Sequence, residues 1–306
     1  SEALLLAIGQ SPDLSMLASR YLVIVGFVVF PALALNVIKS YLSAQELMRF
    51  VLVITIVGFL FNIPLNYLLI FGKFGVPELG IQGSAIASFF VNSFMAVSVC
   101  IYAVKKLPEQ ALFLRIWRPD WSAMRKVLRL GVPIGITSLA EAGLFSASTI
   151  MMGWLGTVAL AAHGIALHIT SLTFVIHVGL SGAATIQTGQ AFGASNVLSL
   201  KRSAFSASLA SLIVVVMTVI LFLSMPKVLV SLFIDPASPH FQDILTYGAL
   251  LLFMAALFST VDAAQVMALG ILRGMQDTSI PMSMAIFSYW GVGIPIAYWF
   301  CFVLNW

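Results

Sequence analysis

Eight stretches of this 306-residue chain are each long and apolar enough to cross a bilayer. A spanning helix needs about 20 predominantly apolar residues. The runs fall at roughly 14–38, 50–71, 80–104, 130–152, 158–192, 203–225, 244–271 and 280–304. In lipid only helices and closed barrels satisfy every backbone N–H and C=O. None of the runs alternates at period two, which removes the barrel. The fold class is therefore all-α: a polytopic membrane helix bundle with eight full spans, plus an apolar stub at Ala3–Ile8. The fifth run is too long for one plain span, and a span with a tilted or irregular extension is expected there.

Composition agrees. The chain is 61% hydrophobic and 8% charged, against about 25% charged in an ordinary soluble domain. Its 15 basic and 11 acidic side chains cannot cover a water-facing surface of this size. A cytosolic enzyme, a secreted domain and a nucleic-acid-binding module are excluded. The net charge of +4 needs no anionic partner. If the 105–129 loop faces the cytoplasm, 12 of the 15 Lys and Arg, Arg115 among them, fall on or near that side, and Arg20, Lys73 and Lys227 fall opposite. That is the positive-inside bias of membrane proteins. Cys100 and Cys301 lie inside apolar runs, so no disulfide framework is expected.

The 105–129 loop has the most mixed composition of any connection and holds Pro108, Trp117, Pro119 and Trp121. It reads as a cytoplasmic linker between two lobes, residues 1–104 and 130–306. A repeat supports the division: displacing the chain by 231 residues sets Gln45-Glu46 on Gln276-Asp277, Pro64 on Pro295 and Tyr67 on Tyr298. Each copy is a span, a short polar turn, and a span with an Ile-Pro-x-x-Tyr element. The repeat implies an intact protein of about twelve spans, in two lobes of about six. The chain starts at Ser1 rather than Met and is expected to be a fragment cut at both ends, running from the end of the third span to the eleventh.

Two formal charges stand out inside the spans, Glu141 and Asp262. A carboxylate at the bilayer centre costs a few kcal/mol, and such residues usually mark an ion or proton path. Glu141 lies twelve residues after Arg129, and Asp262 eleven before Arg273. At 1.5 Å per residue both sit roughly 17 Å from those cytoplasmic anchors, near midplane. Thr137, Ser138 and Ser148 share about one helix face with Glu141, as Ser259 and Gln265 do with Asp262. Thr137, Ser138, Ser259 and Gln265, with Phe145, are candidates to line a cavity. Two neighbouring carboxylates in low dielectric resist double ionisation, so the pair suits a proton or a monovalent cation such as sodium.

Other chemistries lack their residues. His163, His168 and His177 stand five and nine apart, which does not stack one helical face for zinc. The glycine-rich elements at Gly179–Gly182 and Gly189–Gly193 carry no Walker lysine and read as small-residue helix packing. No nucleophile motif or metal cluster supports an embedded enzyme. No cofactor is expected beyond the coupling ion, and no metal site beyond sodium at Glu141 and Asp262.

Three runs together resemble the NorM-type multidrug and toxin extrusion (MATE) transporters. They are Gly131-Val-Pro133-Ile-Gly135 through Glu141, Phe145, Gly153-Trp-Leu-Gly156 and Ala161-Ala-His163; Asp262-Ala-Ala-Gln265 through Gly270-Ile-Leu-Arg273-Gly274, Asp277-Thr278 and Pro281; and Asn62-Ile-Pro64-Leu-Asn66-Tyr67. The resemblance covers nearly the whole chain. It implies two six-helix lobes around a cavity, and exchange of sodium ions or protons for organic, often cationic, compounds by alternating access. It also implies a multi-pass protein of a bacterial inner membrane, a monomer with no nucleic-acid partner, whose coupling cation binds at Glu141 and Asp262. Two positions depart from the family: Gly164 where Gln is common and Gln187 where many members have Arg. A related lipid-linked oligosaccharide flippase is the alternative. It needs a cluster of Arg or Lys within the spans, and none occurs here.

Overall fold

The computed structural model describes residues 12–75, 77–110, 112–113, 118–237 and 239–303. The stub at Ala3–Ile8, Arg115 and Trp117 lie outside the described residues. Nine helices form among the described residues: α1 (Pro12–Ala44), α2 (Met48–Phe71), α3 (Gly80–Lys106), α4 (Trp121–Leu155), α5 (Thr157–Gly193), α6 (Val197–Ser224), the short α7 (Pro226–Ser231), α8 (Phe241–Gly274) and α9 (Ser279–Val303). All except α7 have the length and hydropathy to cross a membrane. The chain divides into two compact units between Arg118 and Pro119.

Two boundaries differ from the sequence expectation. The fourth span begins at Trp121 rather than near 130, because Asp120 caps it: one carboxylate oxygen accepts from the Ser122 and Ala123 N–H groups at 2.9 and 3.0 Å. An Asp at this position satisfies amides that the first turn leaves open. The fifth run is one continuous 37-residue helix, with no irregular extension. Its length is carried by an α-helical backbone without proline, so nothing in the sequence interrupts the ladder.

In the first unit α1, α2 and α3 pack through Leu35, Leu42, Val51, Ile54, Ala96 and Val99. Phe50 and Tyr102 stack beside them with ring centroids 4.1 Å apart. In the second unit a core of Ala166, Ile169, Phe222, Val230, Leu252 and Ala256 joins α5, α6, α7 and α8.

The contact between α5 and α8 is built largely from small and polar side chains, as expected where lipid outside is as apolar as leucine. On α5 the buried positions include Ala162, Ser181, Ala184, Thr188 and Ala191, while Leu172, Val175 and Ile176 are exposed. Ser181 Oγ donates to the Val266 carbonyl at 2.7 Å and Thr185 Oγ1 to the Gly270 carbonyl at 2.8 Å, tying α5 to α8. The two backbones approach so closely that a Cβ at Gly270 would stand 2.6 Å from the Ser181 carbonyl oxygen. Glycine packing therefore occurs here, centred on Gly270 and Gly274 of α8. On α5 Gly189 shares in it, whereas Gly179, Gly182 and Gly193 meet nothing within 4 Å.

Candidate cation site and adjoining cavity

Both acidic residues stand in the second unit. Asp262, on α8, is 9% exposed, and Ser259 beside it is also buried. Glu141, on α4, is half-buried. The two carboxylates lie within electrostatic reach of one another. Neither has a salt-bridge partner among the described residues, where the one close ion pair joins His240 and Asp243.

Arg273, half-buried on α8, lies within electrostatic reach of Glu141, as an arginine stem can carry its charge several ångströms from its own backbone. Glu141 thus feels a negative neighbour and a positive one.

The surrounding candidates separate by position. Thr137, one turn before Glu141, is 2% exposed and donates to the Pro133 carbonyl at 2.9 Å. Ser138 is exposed. Ser259 donates to the Ala255 carbonyl at 2.7 Å. Gln265 reaches to another helix: its Nε2 donates to the hydroxyl oxygen of Tyr289 on α9. Ser148, further along α4, pairs with His163 Nε2 at 3.2 Å.

A cavity of about 490 Å³ adjoins the site within this unit. Its wall includes Phe145, Phe174, Phe258, His168, Thr149 and the Asp262 carboxylate. Phe145 lies one turn after Glu141, and Phe258 one turn before Asp262. Their rings meet edge to face at 6.4 Å, joining α4 to α8. Of the candidate site residues read from the sequence, Phe145 and Asp262 line this cavity, while Glu141, Thr137, Ser138, Ser259 and Gln265 lie outside its wall; Gly164, where the family commonly has Gln, and His168 line it as well. Aromatic faces with one carboxylate suit an organic cation, which is attracted by ring quadrupoles and by charge. Asp262 is the one charged side chain in this wall among the described residues.

Sequence reasoning found α9 as a span but not that Tyr289 and Trp290 bring it to the two acids. Tyr289 lies within electrostatic reach of both Glu141 and Asp262. Trp290 Nε1 donates to the Ala140 carbonyl at 3.1 Å, immediately before Glu141. Its ring fills the space above Gly143, where a Cβ would stand 2.6 Å from Cζ2. Aromatic residues are common in membrane helices, and neither carries a charge that would mark it as costly.

The MatE family profile matches residues 1–68 and 133–299. The chain is 38% identical over 307 residues to the probable multidrug resistance protein NorM of Agrobacterium fabrum, covering 100% of this chain and 66% of that protein. It is also 38% identical over 308 residues to the protein of the same name from Rhizobium meliloti, with the same coverage. The chain therefore spans about two thirds of the length of these relatives. Among solved structures, an outward-facing multidrug resistance MATE family transporter of the MOP superfamily shares the fold at TM-score 0.83 and 21% identity, over 98% of this chain and 65% of that one. The helix architecture, the similarity to bacterial relatives over the whole of this chain and the profile match converge: this chain belongs to the MatE family, as a multi-pass integral protein of the bacterial inner membrane.

Proposed function

We propose that this chain is part of a secondary active multidrug efflux transporter, not an enzyme. In this reading it exchanges sodium ions or protons for organic, often cationic, compounds by alternating access. The observation that carries the reading is an aromatic cavity whose wall holds a membrane-embedded carboxylate, Asp262, with a second, Glu141, within electrostatic reach. The names of the relatives, multidrug resistance proteins, point the same way.

In the proposed cycle, a cation from outside occupies Glu141 and Asp262. Its charge weakens the hold of the Asp262 wall on an organic cation, which leaves. The inorganic cation is then carried inward. Coupling of this kind is a difference in affinity and must be reciprocal, so a bound organic cation equally weakens the inorganic one. A lipid-linked pyrophosphate is disfavoured because the one charged group in the cavity wall among the described residues, Asp262, is acidic.

The test uses inverted vesicles containing the intact protein that carries this sequence. Uptake of a fluorescent lipophilic cation is followed under an imposed sodium gradient and then a proton gradient. One of the gradients is expected to drive uptake, and Glu141→Gln and Asp262→Asn are each expected to abolish it. Gradient-driven uptake that survives both substitutions would remove these residues from the coupling site.

A further inference from the structure

Among the described residues, the wall of the cavity beside Asp262 contains one glycine, Gly164. Neither backbone nor packing requires it. Gly164 lies inside α5 and is not among the residues with positive φ, so its backbone is ordinary helix. A Cβ there would meet nothing within 4 Å, whereas at Gly270 and Gly274 it would collide with α5. A glycine inside a helix lowers stability relative to alanine. What Gly164 does supply is open space on the cavity side of its helix.

That space lies at one end of the cavity. The α5 part of the wall is a single helical face, with Gly164, Leu167, His168, Ser171 and Phe174 recurring at steps of three and four. From Gly164 to Phe174 the face runs roughly 15 Å at 1.5 Å per residue. His163, next to Gly164, pairs with Ser148 of α4, which precedes Thr149 of the same wall. Asp262 stands toward the other end. The Ser181 bond to Val266 and the Thr185 bond to Gly270 each join residues 85 apart. That register sets Asp262 level with His177, past Phe174. Helical side chains lean toward the N-terminus of their helix, which carries the His168 imidazole back toward Gly164. There the Phe233 ring braces it edge to face, with centroids 6.1 Å apart.

We propose that Gly164 sets the size of cation this cavity accepts. By leaving the end remote from Asp262 open, it admits flat cations of several fused rings. The charge of such a cation lies toward Asp262, and its rings extend past Phe174 toward His168 and Gly164. The proposal rests on the reading of this cavity as the organic-cation site. A volume of about 490 Å³ falls within the roughly 300–1,000 Å³ of small-molecule sites and exceeds what one ring fills. A one-ring cation is held at the Asp262 end and does not reach Gly164. A side chain at this position shortens the cavity and excludes the longer cation while sparing the shorter one, which is specificity by steric rejection.

Equilibrium dialysis with the intact protein in detergent tests this, using acridine orange, a flat three-ring cation, and benzyltrimethylammonium, which has one ring. Wild type is compared with Gly164→Ala, Gly164→Leu and Asp262→Asn. Gly164→Leu is expected to weaken acridine orange binding by about tenfold or more, and Gly164→Ala by less. Benzyltrimethylammonium affinity is expected to stay within twofold of wild type in both. The thermal midpoints of both are expected to equal or exceed that of wild type. Asp262→Asn is expected to weaken both cations. Acridine orange affinity within twofold of wild type in Gly164→Leu overturns the proposal. Equal loss of both cations in Gly164→Leu overturns it too, since a general disturbance of the site does not discriminate by size. Either of these results, with both cations weakened in Asp262→Asn, leaves the organic-cation reading of the cavity standing. Unchanged binding of both cations in Asp262→Asn, or no binding of either in wild type, removes that reading and this proposal with it.

Discussion

Single side chains decide how closely α5 and α8 approach. A Cβ at Gly274 would stand 2.1 Å from Thr188 Oγ1 and 2.7 Å from the Thr185 carbonyl oxygen. The hydroxyl can rotate away, but the carbonyl belongs to a helix backbone and cannot. Gly274→Ala is therefore expected to destabilise the protein by about 1–3 kcal/mol, the usual cost of overpacking. Gly182 meets nothing within 4 Å, so Gly182→Ala is expected to be neutral or stabilising by up to about 1 kcal/mol. Unfolding of both variants in detergent checks the pair; equal effects would contradict the packing described here. The same scale shows what a sequence reveals. Glu141 and Asp262 were legible because a charge in an apolar run is costly and therefore rare. Tyr289 and Trp290 carried no such mark, while Gln265 was found through the helix face it shares with Asp262. Where the two aromatic side chains lie is fixed by tertiary packing and by the π-helical run Phe287–Gly293 of α9.

Helix ends show the opposite balance. The eight spans were readable from apolar runs alone, but their limits were set by groups outside those runs. Asp120 starts α4 nine residues before its apolar stretch. Similarly, Asn196 starts α6 by accepting from the Ser199 N–H at 2.9 Å. Three long helices end in the same Schellman closure, and each uses a non-glycine residue in the left-handed position: Glu46, Ser195 and Gln276. A left-handed conformation costs an L-residue roughly 1–2 kcal/mol, while glycine adopts it freely at some cost in unfolded-state entropy. Ser195→Gly is expected to stabilise the protein by about 0.5–1 kcal/mol, seen as a higher thermal midpoint; a lower midpoint would show that the serine side chain contributes more than its backbone conformation costs. The left-handed turn residues Glu46 and Gln276 stand 276 − 46 = 230 positions apart, whereas the helix starts Met48 and Ser279 stand 279 − 48 = 231 apart. The displacement of 231 read from the sequence therefore fits the helices and their prolines, and the extra residue lies in the connection before α9.

At the scale of the molecule, the positions of charge and aromatic surface carry the functional reading. A chain with 8% charged residues keeps two carboxylates, Glu141 and Asp262, in the middle of its spans, and one of them borders a cavity walled by Phe145, Phe174 and Phe258. The family was legible from motif spacing, because those motifs supply the residues that pack α5 against α8 and bear the two acids. The cavity was not, since its wall draws on α4, α5 and α8 together. If the carboxylates couple two cations of different kinds, an organic cation must be able to move the inorganic one. The decisive measurement uses proteoliposomes containing the intact protein, loaded with sodium at a fixed pH and then exposed to an organic cation with no imposed gradient of either inorganic ion. Entry of the organic cation is expected to drive sodium or protons out in proportion to its uptake, and Asp262→Asn is expected to stop both fluxes. Organic-cation entry with no accompanying ion movement would contradict coupled exchange at Glu141 and Asp262.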